Sequence, residues 1–256
     1  MRLIGIEWGA YPRRVTLYLD EKGITDIERV FIDYARGEIH APWIRERNPT
    51  ASLPALELTD GRWITDSMAI IYYLEELYPE PCMIGRTAVE RARIRAYVSH
   101  CNDLFLRAGP VLANSWPQWS RAIRQSPETA EWMRPAFNRS LDCLETLADP
   151  DGPFLMGHEI TVADCALFPL LYHEVSNYGV SLLTDAHPRL QRWYDMFARR
   201  PSAPCALRDD GVREADEADL DPNMPYWWRN KDLNITTWAA SRDGFAGRSA
   251  PSGEAE

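Results

Sequence analysis

Two short segments carry residues able to hold a small acidic peptide. One is Asn48-Pro49-Thr50-Ala51-Ser52-Leu53-Pro54-Ala55-Leu56, and the other, further on, is Thr65-Asp66-Ser67. A proline opening a strand cannot donate to the ladder. If the Leu53-Pro54 bond is cis, Leu53 keeps a free N–H and C=O at a sheet edge, where an extended peptide can pair in antiparallel fashion. Asp66-Ser67 falls where a strand feeds a helix N-terminus, and there unpaired N–H groups and the Ser67 hydroxyl suit a carboxylate. Taken singly, Ser67 is equally a helix N-cap and Pro54 an ordinary loop proline; together the two segments describe a site.

The elements that must position these residues alternate in type. Leu3–Ile6, Val30–Ile32, Leu53–Leu58 and Trp63–Thr65 read as strands, the last two joined by the turn Thr59-Asp60-Gly61. Helical patterns run from Pro12 to Gly23, briefly over 42–47, and from Asp66 to Tyr78. The order is β-α-β-α-β-β-α. Pro79-Glu80-Pro81 then punctuates the chain. Beyond Val89 the pattern is helical: roughly 89–106, 129–147, 161–172 and 188–199. Thr161 and Asp164 have capping-box spacing, a structural role worth about 1 kcal/mol. From Asp209 the chain turns acidic, and Tyr226, Trp227, Trp228 and Trp238 follow. Aromatics of that size are expected to dock on the body rather than stay in water.

Composition limits the function classes. The chain has 256 residues, 45% hydrophobic and 26% charged, enough for one large domain or two modest ones. No apolar run is long enough to span a bilayer, and no secretory signal is evident at the N-terminus. The net charge of −10 and isoelectric point of about 5.1 argue against nucleic-acid and membrane-surface partners. The five cysteines (Cys82, Cys101, Cys143, Cys165 and Cys205) form no CxxC pair, so no metal is expected. Their odd number suggests reduced thiols in the cytoplasm, mostly as small buried hydrophobes.

The element order, with its all-helical second half, resembles a cytosolic glutathione S-transferase. Leu53-Pro54-Ala55-Leu56 resembles that family's VPAL segment. Asp66-Ser67-Met68-Ala69-Ile70 with Tyr73-Leu74-Glu75 resembles its ESxAI…YLE segment, and Thr161-Val162-Ala163-Asp164 its SxAD helix start. The resemblance covers roughly residues 2–205. It implies an α/β plus all-α chain: a thioredoxin-like domain over 1–79, a linker over 80–87, an all-helical domain over 88–208 and an extension over 209–256. Glutathione would be the co-substrate. The Leu53 backbone would pair with its cysteinyl part beside Pro54, Asp66 and Ser67 would hold its γ-glutamyl end, His40 would meet its glycyl carboxylate, and Arg13 would add positive charge. A homodimer is implied by resemblance alone.

Relatives place Ser, Cys or Tyr in the loop after the first strand. Here that loop is Trp8-Gly9-Ala10-Tyr11-Pro12-Arg13-Arg14, whose end resembles the NPRRV of some bacterial members, with Tyr11 in place of Asn. It contains no Ser, Thr or Cys, so Tyr11 supplies the side-chain hydroxyl. A thiol with a pKa near 8.5 is only about 3% ionised at pH 7, and lowering that pKa by two units takes about 2.7 kcal/mol. One or two charge-assisted hydrogen bonds of about 1.5–3 kcal/mol each suffice, from the Tyr11 O–H and a helix N–H. Trp8, Tyr97, Phe105, Trp116 and Trp119 are candidates to line a pocket for a small hydrophobic electrophile, with Tyr172 beside them. The expected activity is attack of the glutathione thiolate on an aromatic electrophile, by conjugation or ether cleavage. A theta-like, bacterial β-aryl-ether-cleaving branch looks similar. The alternative is a protein that binds glutathione or a hydrophobic ligand without turnover, which the loop's lack of Ser or Cys favours. A third reading makes the tail a docking element in a larger assembly.

Overall fold

In the computed structural model, which describes residues 1–34, 37–116, 119 and 123–206, β1 (Arg2–Gly5), α1 (Ala10–Lys22) and β2 (Glu28–Phe31) form a parallel crossover. A 3-10 turn (Glu38–His40) and the short α2 (Pro42–Arg45) lead to β3 (Ala55–Glu57), β4 (Trp63–Thr65) and α3 (Ser67–Leu77). The sheet order is β2-β1-β3-β4, with β3 antiparallel to both neighbours. The second half is helical: α4 (Ala88–Ser115), α5 (Pro127–Leu147), α6 (Val162–Tyr178) and α7 (Pro188–Phe197). The acidic and aromatic tail lies outside the described residues.

Local chemistry sets these elements. Gly9 enters α1 in extended backbone with no side-chain cap. A Cβ at Gly9 would stand 2.6 Å from Ile6 Cγ1, so only glycine fits there. The helix stops at Gly23, in the left-handed region at φ 72°. Thr87 with Glu90, and Thr161 with Asp164, form capping boxes for α4 and α6. Both helices run on past the ends expected from sequence, α4 through Pro110 to Ser115 and α6 to Tyr178. The carbonyl of Pro110 is taken up by Asn114 Nδ2 at 2.8 Å. Conversely β3 is shorter than the expected Leu53–Leu58.

The larger core joins the two halves: Leu17, Tyr18 and Leu19 of α1 and Ile70, Ile71 and Leu74 of α3 are continuous with the aliphatic faces of α4 and α6. Phe168 of α6 packs its ring against Trp193, Tyr194 and Phe197 of α7. A smaller core of Ile4, Ile6, Trp8, Ile32, Ile39 and Ile44 supports the other face of the sheet. Cys101 and Cys165 are fully buried. Burial pushes the Cys101 thiol up to about 12, and that of Cys165 well up, which fits small hydrophobes rather than reactive groups.

Candidate functional site

The sheet register gathers the candidate residues at one end. Ala55 pairs with Thr65 and with Ile4. Continuing that register by two residues sets Leu53 opposite Ser67, next to the chain leaving β1 for the Ile6–Gly9 loop and the start of α1. The Leu53-Pro54 bond is cis. No backbone hydrogen bond among the described residues engages the Leu53 N–H or C=O. The loop before it is organised by Asn48, buried at 1% exposure. Asn48 donates to the Ser52 carbonyl at 2.6 Å and accepts from Thr50 Oγ1 at 2.8 Å. Asn48 opens the segment singled out from the sequence, but its place as the residue that orders this loop was not expected.

Asp66 rather than Ser67 caps α3. Its Oδ1 accepts from the Met68 and Ala69 N–H groups, both at 2.9 Å. Asp66 stands at φ 75°, ψ 125°, a region disfavoured for a residue with a Cβ and found where a site over-determines the backbone. With the cap supplied by Asp66, the Ser67 hydroxyl is left over: it is closed from solvent and has no hydrogen-bond partner.

α1 begins at Ala10, two residues before the expected start, so Tyr11 lies in its first turn rather than in a loop. The ring of Tyr11 meets Phe105 of α4 at a centroid distance of 4.9 Å. The Arg14 guanidinium sits 4.0 Å over Phe105 and 5.0 Å over Tyr11. Arg14 is a buried cation, not the surface residue its first-turn position suggests. It donates to the Ala166 carbonyl at 2.9 Å and to Asn102 Oδ1 at 2.6 Å, while Nη2 has no partner. Burial raises the Tyr11 phenol above its ordinary value, against the nearby charge of Arg14 and with that of Asp66. Tyr11 therefore stays protonated, and a hydrogen-bond donor, at neutral pH.

The other expected residues separate. Arg13 directs its Nη2 at the carbonyls of Ser202, Ala203 and Pro204, and its Nη1 at Thr16. A buried guanidinium needs such acceptors, so Arg13 ties α1 to the chain after α7 and the expected ligand contact is corrected. Tyr97 is likewise core: it is 1% exposed, and its hydroxyl donates to the Leu144 carbonyl at 3.1 Å. His40, on the 3-10 turn, is held below its ordinary pKa by burial and by Arg45, whose Nη1 lies 3.5 Å from Nδ1. Arg45, missed in the sequence, is the lasting positive charge there. Trp8 is buried, edge-on to Tyr34 at 5.8 Å and 6.3 Å from the His173 ring. Trp116 ends α4, and Trp119 follows it, both half-buried. Tyr172 packs a tilted ring on Phe168 at 5.2 Å. Among the described residues no His, Cys, Asp and Glu cluster is placed to hold a metal ion, and no helix is long and apolar enough to cross a membrane.

Comparison with known proteins gives the family. Residues 8–77 match the model of the glutathione S-transferase N-terminal domain, and residues 87–195 that of its C-terminal domain. The chain is 33% identical over 193 residues to a maleylacetoacetate isomerase of Pseudomonas aeruginosa, covering 74% of this chain and 87% of that protein. It is 28% identical over 203 residues to glutathione S-transferase Z1 of Arabidopsis thaliana, covering 76% and 85%. A crystal structure of a glutathione S-transferase domain-containing protein from Marinobacter aquaeolei superposes with a TM-score of 0.64 at 27% identity, over 80% of this chain and 100% of that one.

Proposed function

The chain belongs to the glutathione S-transferase family, and we propose that it is a glutathione-dependent enzyme whose thiolate forms at the N-terminus of α1. One observation carries the reading: the unused Leu53 backbone and the buried, unpartnered Ser67 hydroxyl both lie just beyond the paired Ala55 and Thr65 at one end of the sheet, and α1 begins there without a side-chain cap. In this proposal Leu53 pairs with the cysteinyl unit, and Pro54 fixes that edge. The Ser67 hydroxyl and the α3 N-terminus take the γ-glutamyl carboxylate, while Asp66 supplies negative charge for its ammonium group. Arg45 with His40 faces the glycyl carboxylate. The α1 N–H groups and the Tyr11 O–H then favour the thiolate over the thiol, and the released proton leaves to solvent.

The thiolate attacks an electrophilic carbon held near Trp8, Phe105, Trp116 and Trp119. In conjugation or ether cleavage a carbon–sulfur bond forms and the bond to the leaving group breaks. The isomerase named among the relatives supports a second outcome, addition to a double bond followed by loss of glutathione. Product analysis separates these: a glutathione conjugate with a released phenol places the chain in the ether-cleaving branch, and a rearranged product with free glutathione places it with the isomerases. The non-catalytic alternative rests on the loop's lack of Ser, Thr and Cys; it predicts glutathione binding with an unshifted thiol. We also propose a cytoplasmic homodimer, which light scattering checks as twice the 29.4 kDa chain mass.

Ser67→Ala tests the placement. The variant leaves a buried ligand carboxylate short of a donor, so glutathione affinity should fall by about 1–3 kcal/mol in calorimetry. Unchanged affinity would put the γ-glutamyl end elsewhere.

A further inference from the structure

α6 carries a buried polar face that the glutathione subsite does not use. His173, Glu174 and Asn177 occupy it, within one turn on a single side of the helix. The far side of the helix carries Phe168, against the α7 rings. Two turns before His173, the Ala166 carbonyl accepts from Arg14 of α1, and His173 itself lies against Trp8. The polar face is thus turned toward the β1–α1 loop and the first turn of α1.

Glu174 is 5% exposed. Its Oε1 lies 3.0 Å from His173 Nδ1. Its Oε2 is closed from solvent and has no hydrogen-bond partner. Buried carboxylate oxygens are ordinarily satisfied, and one that is not calls for a donor the chain does not itself supply, whether a bound water or a ligand group. The Glu174 carboxylate is held on His173, whose ring lies 6.3 Å from that of Trp8, one of the aromatic side chains proposed to hold the electrophile.

We propose that Glu174 is a specificity-determining residue for the second substrate. Its Oε2 accepts a hydrogen bond from a hydroxyl or N–H group of the electrophile, and Trp8 flanks the apolar body. The inference rests on the proposed glutathione-dependent reading and names its substrate class: an apolar electrophile bearing a neutral hydrogen-bond donor, such as a phenol hydroxyl. A dicarboxylate is disfavoured, because its anionic group would meet a like charge where neither is well solvated.

The test uses the full chain and two probes, 4-hydroxyacetophenone and 4-methoxyacetophenone, titrated by calorimetry at pH 6.5 with and without glutathione. The hydroxyl probe should bind about tenfold tighter than its methyl ether, as expected for one hydrogen bond donated to a carboxylate oxygen. Glu174→Leu should remove that preference, and Glu174→Gln, which keeps the shape and one neutral acceptor, should reduce it. Equal affinity of the wild-type chain for the two probes would overturn the proposal, an internal water then satisfying Oε2. So would binding of neither probe, or a preference that survives in Glu174→Leu. Failure of glutathione itself to bind in the paired titrations would strike the proposed function instead, since the probe ratio is read without it.

Discussion

Replacing Lys22 with methionine is expected to lower folding stability by about 3–5 kcal/mol. The side chains of Lys22 and Glu75 are 0% and 1% exposed and form an ion pair between α1 and α3. Lys22 Nζ also donates to the Pro81 carbonyl at 2.9 Å. Glu75 accepts from the Tyr18 hydroxyl at 2.9 Å and from the Met83 N–H at 3.4 Å. The pair therefore binds the segment between the two halves to the helices that carry Tyr11 and Ser67. Removing the lysine leaves a carboxylate buried against two weaker donors. Removing both charges, as Lys22→Met with Glu75→Leu, restores most of the loss, because the desolvation cost disappears with the attraction. Urea unfolding of the three variants checks this. A loss below about 1 kcal/mol for Lys22→Met would mean that water enters the pair and screens it.

Asp164→Ala should cost about 3 kcal/mol or more, well beyond the roughly 1 kcal/mol of an isolated cap. Asp164 is fully buried. Its Oδ2 accepts from the Thr161 N–H at 2.8 Å and from Thr161 Oγ1 at 3.1 Å. Its Oδ1 accepts from the Leu155 N–H at 3.0 Å and from Trp193 Nε1 at 2.8 Å. One carboxylate thus caps α6, closes the loop before it and anchors α7. Alanine orphans buried donors in all three places. Asn restores only part of the loss, since its amide N–H₂ faces donors. Tryptophan fluorescence during denaturant unfolding measures the change, and a cost near 1 kcal/mol would show that only the cap matters.

The alternation of strands and helices was legible because each element carries its own local signal: apolar runs, Gly23, the Thr59-Asp60-Gly61 turn and the capping boxes. The strand end at Leu53-Pro54 and the helix start at Asp66-Ser67 were legible for the same reason, since each is set by neighbours in sequence. What the sequence hid depends on distant partners. Arg13 and Arg14 look like surface charges until the Ser202–Pro204 carbonyls and Ala166 arrive from the far end of the chain. Tyr97 looks like a pocket aromatic until α5 covers it. Glu174 and His173 are ordinary polar residues in an amphipathic pattern, and only the packing of α6 buries them. The helical pattern over 89–106 stops short of Pro110, yet α4 runs through that proline, its packing outweighing one lost hydrogen bond.

Glutathione is proposed to bind with its sulfur ionised at the start of α1, and ultraviolet absorbance of the thiolate, followed against pH for the complex, reads that ionisation. A midpoint about two units below the roughly 8.5 of a free thiol is expected, moved back upward by about one unit in Tyr11→Phe, the share expected of one hydrogen bond to a charged group. A wild-type midpoint at the free-thiol value would contradict it, leaving a chain that holds glutathione without activating it.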